Sequence, residues 1–203
     1  MMSITMIEVT SMNNPLFLFC GRSASGKTTV AEKLSCQYGY GQVESYTTRA
    51  PRFYGEIGHI FISDEEFDNL GELAAYTEYN GYRYGTTMEQ LNECDIYVID
   101  VPGIRSLLEK YKDCSRPIVI IYFESTVHTR INRMLDRHDS DMQIISRLLE
   151  DEKEDWYKQL DSLVWHYDRI SGKDVQLYSV NANEDQKNVL ELVSYYMHRH
   201  MED

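Results

Sequence analysis

Three runs of consecutive apolar residues stand out along this chain, at Leu16–Cys20, 96–99 and 118–123. Each has the length of a strand and none alternates with polar residues, the pattern of a strand buried on both faces. Each is followed by a helical pattern, at 28–38, 104–111 and 126–137, the first ended by Gly39 and Gly41. A fourth short strand is predicted at 175–180, with a closing helix from 184 to 200. Strands alternating with helices imply a parallel sheet with helices on both faces. The stretch 43–86 breaks the rhythm. It is rich in Tyr, Thr and Gly and holds short alternating runs such as His59-Ile60-Phe61-Ile62, which predicts a small, mostly β insertion. No internal repeat is visible. The acidic run 150–155 falls in a long helical region and reads as a solvated helix face.

With 203 residues, the chain can bury a core without metals or disulfides. Its net charge of −13 argues against a general nucleic-acid binder, whose affinity comes mostly from cationic contacts to phosphates. A small phosphorylated ligand needs only a local cationic cluster. Cys20, Cys36, Cys94 and Cys114 form no C-x-x-C pair and have no His at zinc spacing, so reduced thiols and a cytoplasmic setting are expected. Residues 1–14 contain no Lys or Arg and read as a short extension rather than a signal peptide. No stretch approaches the roughly 20 apolar residues that span a bilayer, so no membrane partner is expected. Oligomeric state is not legible.

Chemistry enters directly after the first apolar run. Gly21-Arg22-Ser23-Ala24-Ser25-Gly26-Lys27-Thr28 fits G-x-x-x-x-G-K-[ST] without a mismatch. Glycines let the backbone curl its N–H groups around phosphate oxygens, and the following helix adds the positive end of its dipole. Gly21, Ser23, Ala24, Ser25, Gly26, Lys27, Thr28 and Thr29 form the expected cradle for a nucleoside triphosphate. Lys27 would reach the β- and γ-phosphates and Thr28 would hold Mg²⁺. Asp100-Val101-Pro102-Gly103 resembles the D-x-x-G of GTPases. No guanine-reading N-K-x-D appears, so Asp100 is placed near the metal or a second substrate.

Ser45-Tyr46-Thr47-Thr48-Arg49-Ala50-Pro51-Arg52 then resembles the S-x-T-T-R-x-P-R segment of the guanylate kinase family. The likeness continues through Gly55-Glu56, His59 to Ser63, Tyr84-Gly85-Thr86, Asp100-x-x-Gly103 and the arginines from Arg130 to Arg147. It implies an α/β fold: a three-layer P-loop NTPase core with a parallel sheet, an inserted β-rich acceptor lobe and a helical lid. The implied boundaries are core 15–46, 87–136 and 147–203, acceptor lobe 47–86 and lid 137–146, after the extension 1–14. Carried over by position, Arg49, Arg52 and Tyr84 hold the acceptor's phosphate, while Ser45 and Thr86 face its base. Arg133, Arg137 and Arg147 surround the transferring group, and Asn181 lies beside adenine. The chemistry agrees, since phosphoryl transfer gathers anionic oxygens that planar guanidinium groups bind in pairs. Arg130, Arg133 and Arg137 are spaced to share one helix face, although spacing leaves the role of Arg130 open.

Three positions depart from the family. His59 stands where a phosphate-contacting Tyr is usual, and a His can still donate a hydrogen bond. Ala75 replaces the Glu that reads guanine, with Glu78 and Glu72 as neighbouring substitutes. Val98 replaces an Asp two residues before Asp100. The leading expectation is ATP-dependent phosphorylation of a nucleoside monophosphate, GMP or dGMP first. A kinase of ribose 1,5-bisphosphate or another small molecule, and a non-catalytic guanylate kinase-like binding module, remain as alternatives.

Overall fold

The computed structural model describes residues 14–110, 116–153, 155–169, 172 and 174–201. The expectations for the extension 1–13, for Tyr111, for Cys114 and for Glu154 lie outside the described residues.

The first two strands of the main sheet and the helices that follow them come directly from the apolar runs. Strand β1 (Leu16–Cys20) is buried at all five positions, and helix α1 (Lys27–Tyr38) follows the phosphate loop. β2 (Ser45–Thr47), β3 (His59–Phe61), α2 (Asp64–Asp68), β4 (Ala75–Tyr79), β5 (Tyr82–Thr86) and α3 (Met88–Glu93) make up the insertion. The chain then runs through β6 (Ile96–Val98), α4 (Val101–Lys110), β7 (Ile118–Glu124), α5 (Val127–Asp136), α6 (Asp141–Asp151), α7 (Trp156–Arg169), β8 (Val175–Asn181) and α8 (Gln186–Met201).

β1 lies between β6 and β7 in a parallel sheet of order β6-β1-β7-β8. Side chains alternate across a strand, so β1 feeds two cores. Leu16, Leu18 and Cys20 pack with Ile104, Leu107 and Leu108 of α4 and with Trp156, Leu160 and Leu163 of α7. Phe17 and Phe19 pack with Val30, Ala31 and Leu34 of α1 and with Val189, Val193 and Met197 of α8. Two helical layers thus cover one sheet. All of its strands point their C-terminal ends toward the same edge, where the loop after β1 emerges.

The insertion is a second sheet of order β3-β2-β5-β4. β4 and β5 are an antiparallel hairpin turning at Asn80-Gly81, both at positive φ, the backbone that a tight two-residue turn demands. The capping boxes Ser63/Glu66 and Thr87/Gln90 start the two short helices beside it. This sheet begins at Ser45, two residues before the expected lobe boundary. The acidic run also departs from expectation. α6 ends at Asp151 and α7 starts at Trp156, so no single long helix carries it. Asp151 is fully buried instead of solvated.

Candidate active site

The loop after β1 owes its shape to its glycines. Gly21 has φ 150°, and a Cβ there would lie 2.7 Å from the Phe123 carbonyl oxygen of β7, so no larger residue fits. Gly26 caps α1 in the left-handed region at φ 100°. Lys27 folds over its own loop and donates to the Gly21 and Arg22 carbonyls at 2.6 and 2.9 Å and to Ser25 Oγ at 3.2 Å. Burial pulls the ammonium down to about 8, a cation in need of an anion. Arg133 on α5 reaches the far side of the loop. It donates to the carbonyls of Ser25 at 3.0 Å, Ala24 at 3.3 Å and Ala182, past the end of β8, at 2.7 Å.

Across the cleft, the loop from 48 to 58 sets two arginines around one carboxylate. Arg49 donates to both Glu56 oxygens at 3.1 and 2.9 Å. Arg52 donates to them through its backbone N–H at 2.6 Å and its guanidinium at 3.1 Å. Glu56 is itself nearly buried, and these donors hold its carboxyl below the usual range despite that burial. Nε of Arg49 is buried with no hydrogen-bond partner among the described residues, a donor left over for an anion. His59 on β3 shares a 2.9 Å hydrogen bond with Ser45 Oγ on β2 and packs edge-on to Tyr84 of β5. Burial and the nearby Arg49 and Arg52 charges push His59 down to about 4, so it is neutral at physiological pH.

The third set comes from the turn between α5 and α6. Arg137 pairs bidentately with Asp139, and Arg147 lies 3.7 Å from the same carboxylate. Arg52 falls within the field of Arg147, Arg49 and Arg137. With burial, their repulsion lowers its guanidinium to about 10. Cations crowded this closely store unfavourable energy that a polyanion would release.

These groups face one cleft of about 520 Å³, lined by Ser23, Ala24, Ser25, Gly26, Lys27, Thr28 and Thr29 on one side and by Arg52, His59, Arg133, Arg137 and Arg147 on the others. A smaller space of about 140 Å³ adjoins it, where Gly21, Ser45, Tyr84 and Asp100 meet Tyr97 and Trp156. Asp100 is held by Thr77 Oγ1 and the Gly103 N–H, at 2.9 and 2.8 Å, and burial raises its carboxyl.

Four expected contacts are not brought to the cleft. Arg49 is buried in its pair with Glu56 and lines neither space. Thr86 is fully buried and its hydroxyl donates to Gln90 at 2.8 Å, because α3 caps back onto β5. Glu78 is exposed and accepts from the Tyr76 hydroxyl at 2.5 Å; strand alternation sends Thr77 and Tyr79 to the cleft instead. Asn181 is exposed and accepts from the Asn183 backbone and side-chain amides, leaving Ala182, Gln186 and Val189 as the cleft wall there. The buried pair Arg130–Asp151, Tyr79 and Trp156 carried no signal in the sequence. An unpaired acidic residue or tyrosine in a helical or strand pattern gives no sign of where its side chain will be buried.

No family model matches the chain. It is 32% identical over 149 residues to the guanylate kinase of Geobacter metallireducens, a match covering 66% of this chain and 71% of that protein. It is 29% identical over 154 residues to the guanylate kinase of Streptococcus pneumoniae, covering 69% and 72%. Among solved structures, guanylate kinase from Anaplasma phagocytophilum superposes with a TM-score of 0.59, 20% identity and coverage of 95% of this chain and 88% of that one. That likeness shows a shared fold, the α/β P-loop NTPase architecture.

Proposed function

Because the chain belongs to the guanylate kinase family of nucleoside monophosphate kinases, we propose that it transfers the γ-phosphoryl group of ATP to the phosphate of GMP or dGMP, giving ADP and GDP or dGDP. The observation that carries this reading is the single cleft in which a phosphate loop faces arginines from three other segments. Such an arrangement suits a reaction whose barrier is lowered by positioning and charge stabilisation rather than by covalent chemistry.

In this reading the donor's phosphates lie on 21–28, with Lys27 swinging from its own carbonyls to the β- and γ-oxygens. Arg52 and His59 meet the acceptor's phosphate directly, with Tyr84 beside them. Arg49 supports them from its pair with Glu56, whose carboxylate orients both arginines. Arg137 and Arg147 close over the moving phosphoryl group and exclude water, while Arg133 braces the loop. The acceptor oxygen is already anionic, so no strong general base is needed.

Mg²⁺ is expected with ATP. The donor set fits: Thr28 offers a hard hydroxyl oxygen at the start of α1 and is exposed at the cleft. Among the described residues no cluster of three or more His, Cys, Asp or Glu forms a cage. Mg²⁺ bound largely through substrate phosphates needs no such cage. The ion would supply neutralisation of the charge on the donor's phosphates.

The acceptor's base has few free partners. Ala75 is buried and apolar, and Ser45, Thr77 and Thr86 already hold His59, Asp100 and Gln90. Glu72 and Glu78 are exposed, and Glu78 borders a further small space beside Asp100 and Trp156; Asp100, which lines the 140 Å³ space, is the carboxylate this reading assigns to a guanine amino group. Ribose 1,5-bisphosphate and the non-catalytic module gain no support from the relatives. Among the described residues no helix is long and apolar enough to cross a membrane; a cytoplasmic setting belongs to the proposal and is supported only by the substrates it names. ADP release measured against every ribo- and deoxyribonucleoside monophosphate and ribose 1,5-bisphosphate tests the reading. Turnover is expected with GMP and dGMP; turnover of the sugar bisphosphate alone, or none, would overturn it.

A further inference from the structure

The C-terminal residue of α6, Asp151, is fully buried, yet it stands where the phosphate loop, α5 and the small sheet meet. Its Oδ2 accepts from the backbone N–H of Ser23, in the phosphate loop, at 2.8 Å and from Arg130 Nη1, on α5, at 2.8 Å. Its Oδ1 accepts from the Tyr79 hydroxyl, on β4 of the small sheet, at 3.1 Å and lies 3.3 Å from Ser23 Oγ. Ser23 Oγ and the Tyr79 hydroxyl are 3.0 Å apart and close the triangle. The next residue, Glu152, ties in Arg130 at 2.7 Å and Arg22 at 2.5 Å.

Both members of the Arg130–Asp151 pair have no exposed side-chain surface. Removing two charges from water costs so much that such a pair adds little net stability, and its better-attested use is to specify one arrangement among several. Here the arrangement specified is that of residues 22–23 against α6 and β4. Arg147, one helical turn before Asp151 on α6, lines the cleft, so the helix that carries this arginine is pinned to the phosphate loop at its C-terminal end. Tyr79 ends the strand whose face lines the acceptor side.

We propose that Asp151 and Tyr79 are positioning residues that couple the two substrate sites, so that filling the phosphate loop tightens binding of the acceptor and the reverse. This rests on the two-substrate reading above. A triphosphate on the loop holds residues 22–25 in one conformation. Ser23 then presents a fixed anchor to Asp151 and Tyr79, and through them α6 and the small sheet lose freedom before the acceptor arrives. Such coupling is reciprocal by linkage, and it needs an element that both sites bias. The Ser23–Asp151–Tyr79 triangle is that element.

The test is calorimetric titration of GMP into the whole chain with and without a non-hydrolysable ATP analogue. The ratio of the two dissociation constants is the coupling, expected at about fivefold or more in the native chain. Tyr79→Phe removes one hydroxyl and leaves the buried ion pair intact. It should bring the ratio at least threefold closer to one, whatever it does to either affinity alone. Asp151→Asn should do the same where it folds, and Tyr79→Phe keeps the test decisive where it does not. A Tyr79→Phe variant with the native ratio, even one of lower melting temperature, overturns the inference alone, as does a native chain that binds both ligands without coupling. A native chain that binds neither ligand overturns the two-substrate reading and this inference with it.

Discussion

The two sheets build their halves of the cleft by different means. On the parallel sheet the phosphate site is mostly main chain: a strand end, two glycines in conformations that a side chain would strain, a helix N-terminus and one lysine. On the small sheet it is made of side chains holding one another, with Glu56 between Arg49 and Arg52 and Ser45 against His59. A main-chain site is pre-shaped by local geometry and has little to lose from a surface change elsewhere. A side-chain site depends on each partner staying in place, and losing the Glu56 carboxylate leaves the buried Arg49 without its counter-charge. The donor half should therefore fail chiefly when its own eight residues or the side chains that brace them, Arg133 and Asp151, change, and the acceptor half should fail by degrees.

The largest effect is expected for Lys27→Ala, because among the described residues no other ammonium lines the cleft. Turnover should fall by about 10²–10³-fold with the fold intact, read by steady-state kinetics beside a melting curve; unchanged activity would remove the kinase reading. Arg49→Ala comes next. It should raise the acceptor's KM by about 10- to 100-fold, the worth of charge-assisted hydrogen bonds, and lower turnover, with a smaller change in ATP affinity. Equal damage to both substrates would show that the halves are not as separate as their construction suggests. A third effect is a proton. Lys27 is held to about 8 without ligand, and a bound triphosphate favours its charged form. At about pH 9 the free lysine is mostly neutral, so binding should take up close to one proton, and near pH 7 almost none. Calorimetry in buffers of different ionisation enthalpy measures this. The smallest effect is expected for Glu78→Gln, which should leave the GMP KM within about twofold, since an exposed group in a solvated contact contributes little. A large rise would mean that Glu78 swings in to read the base.

Much of this was legible before the structure. Leu16–Cys20 and the eight residues after it announced a buried strand, a phosphate loop and a helix, because each is a pattern in neighbouring residues. The short runs of 43–86 announced a β insertion without its strand order. That Thr86 would partner Gln90 instead of facing a base, and that Asn181 would accept from Asn183 instead of lining the cleft, was not foreseeable, because those pairings depend on how α3 and the segment after β8 fold back.

By itself the sequence determined the α/β core, the donor site and the identity of the arginines that gather around it, since backbone conformation and apolar burial follow from local pattern. Only the tertiary structure decided which charges line the cleft and which are spent on one another. Arg130 and Arg133 share a helix face, yet one is sealed against Asp151 and the other reaches the loop. The reason is physical: a charge's role depends on its desolvation and its nearest counter-charge, and both are set by chain segments far apart in the sequence.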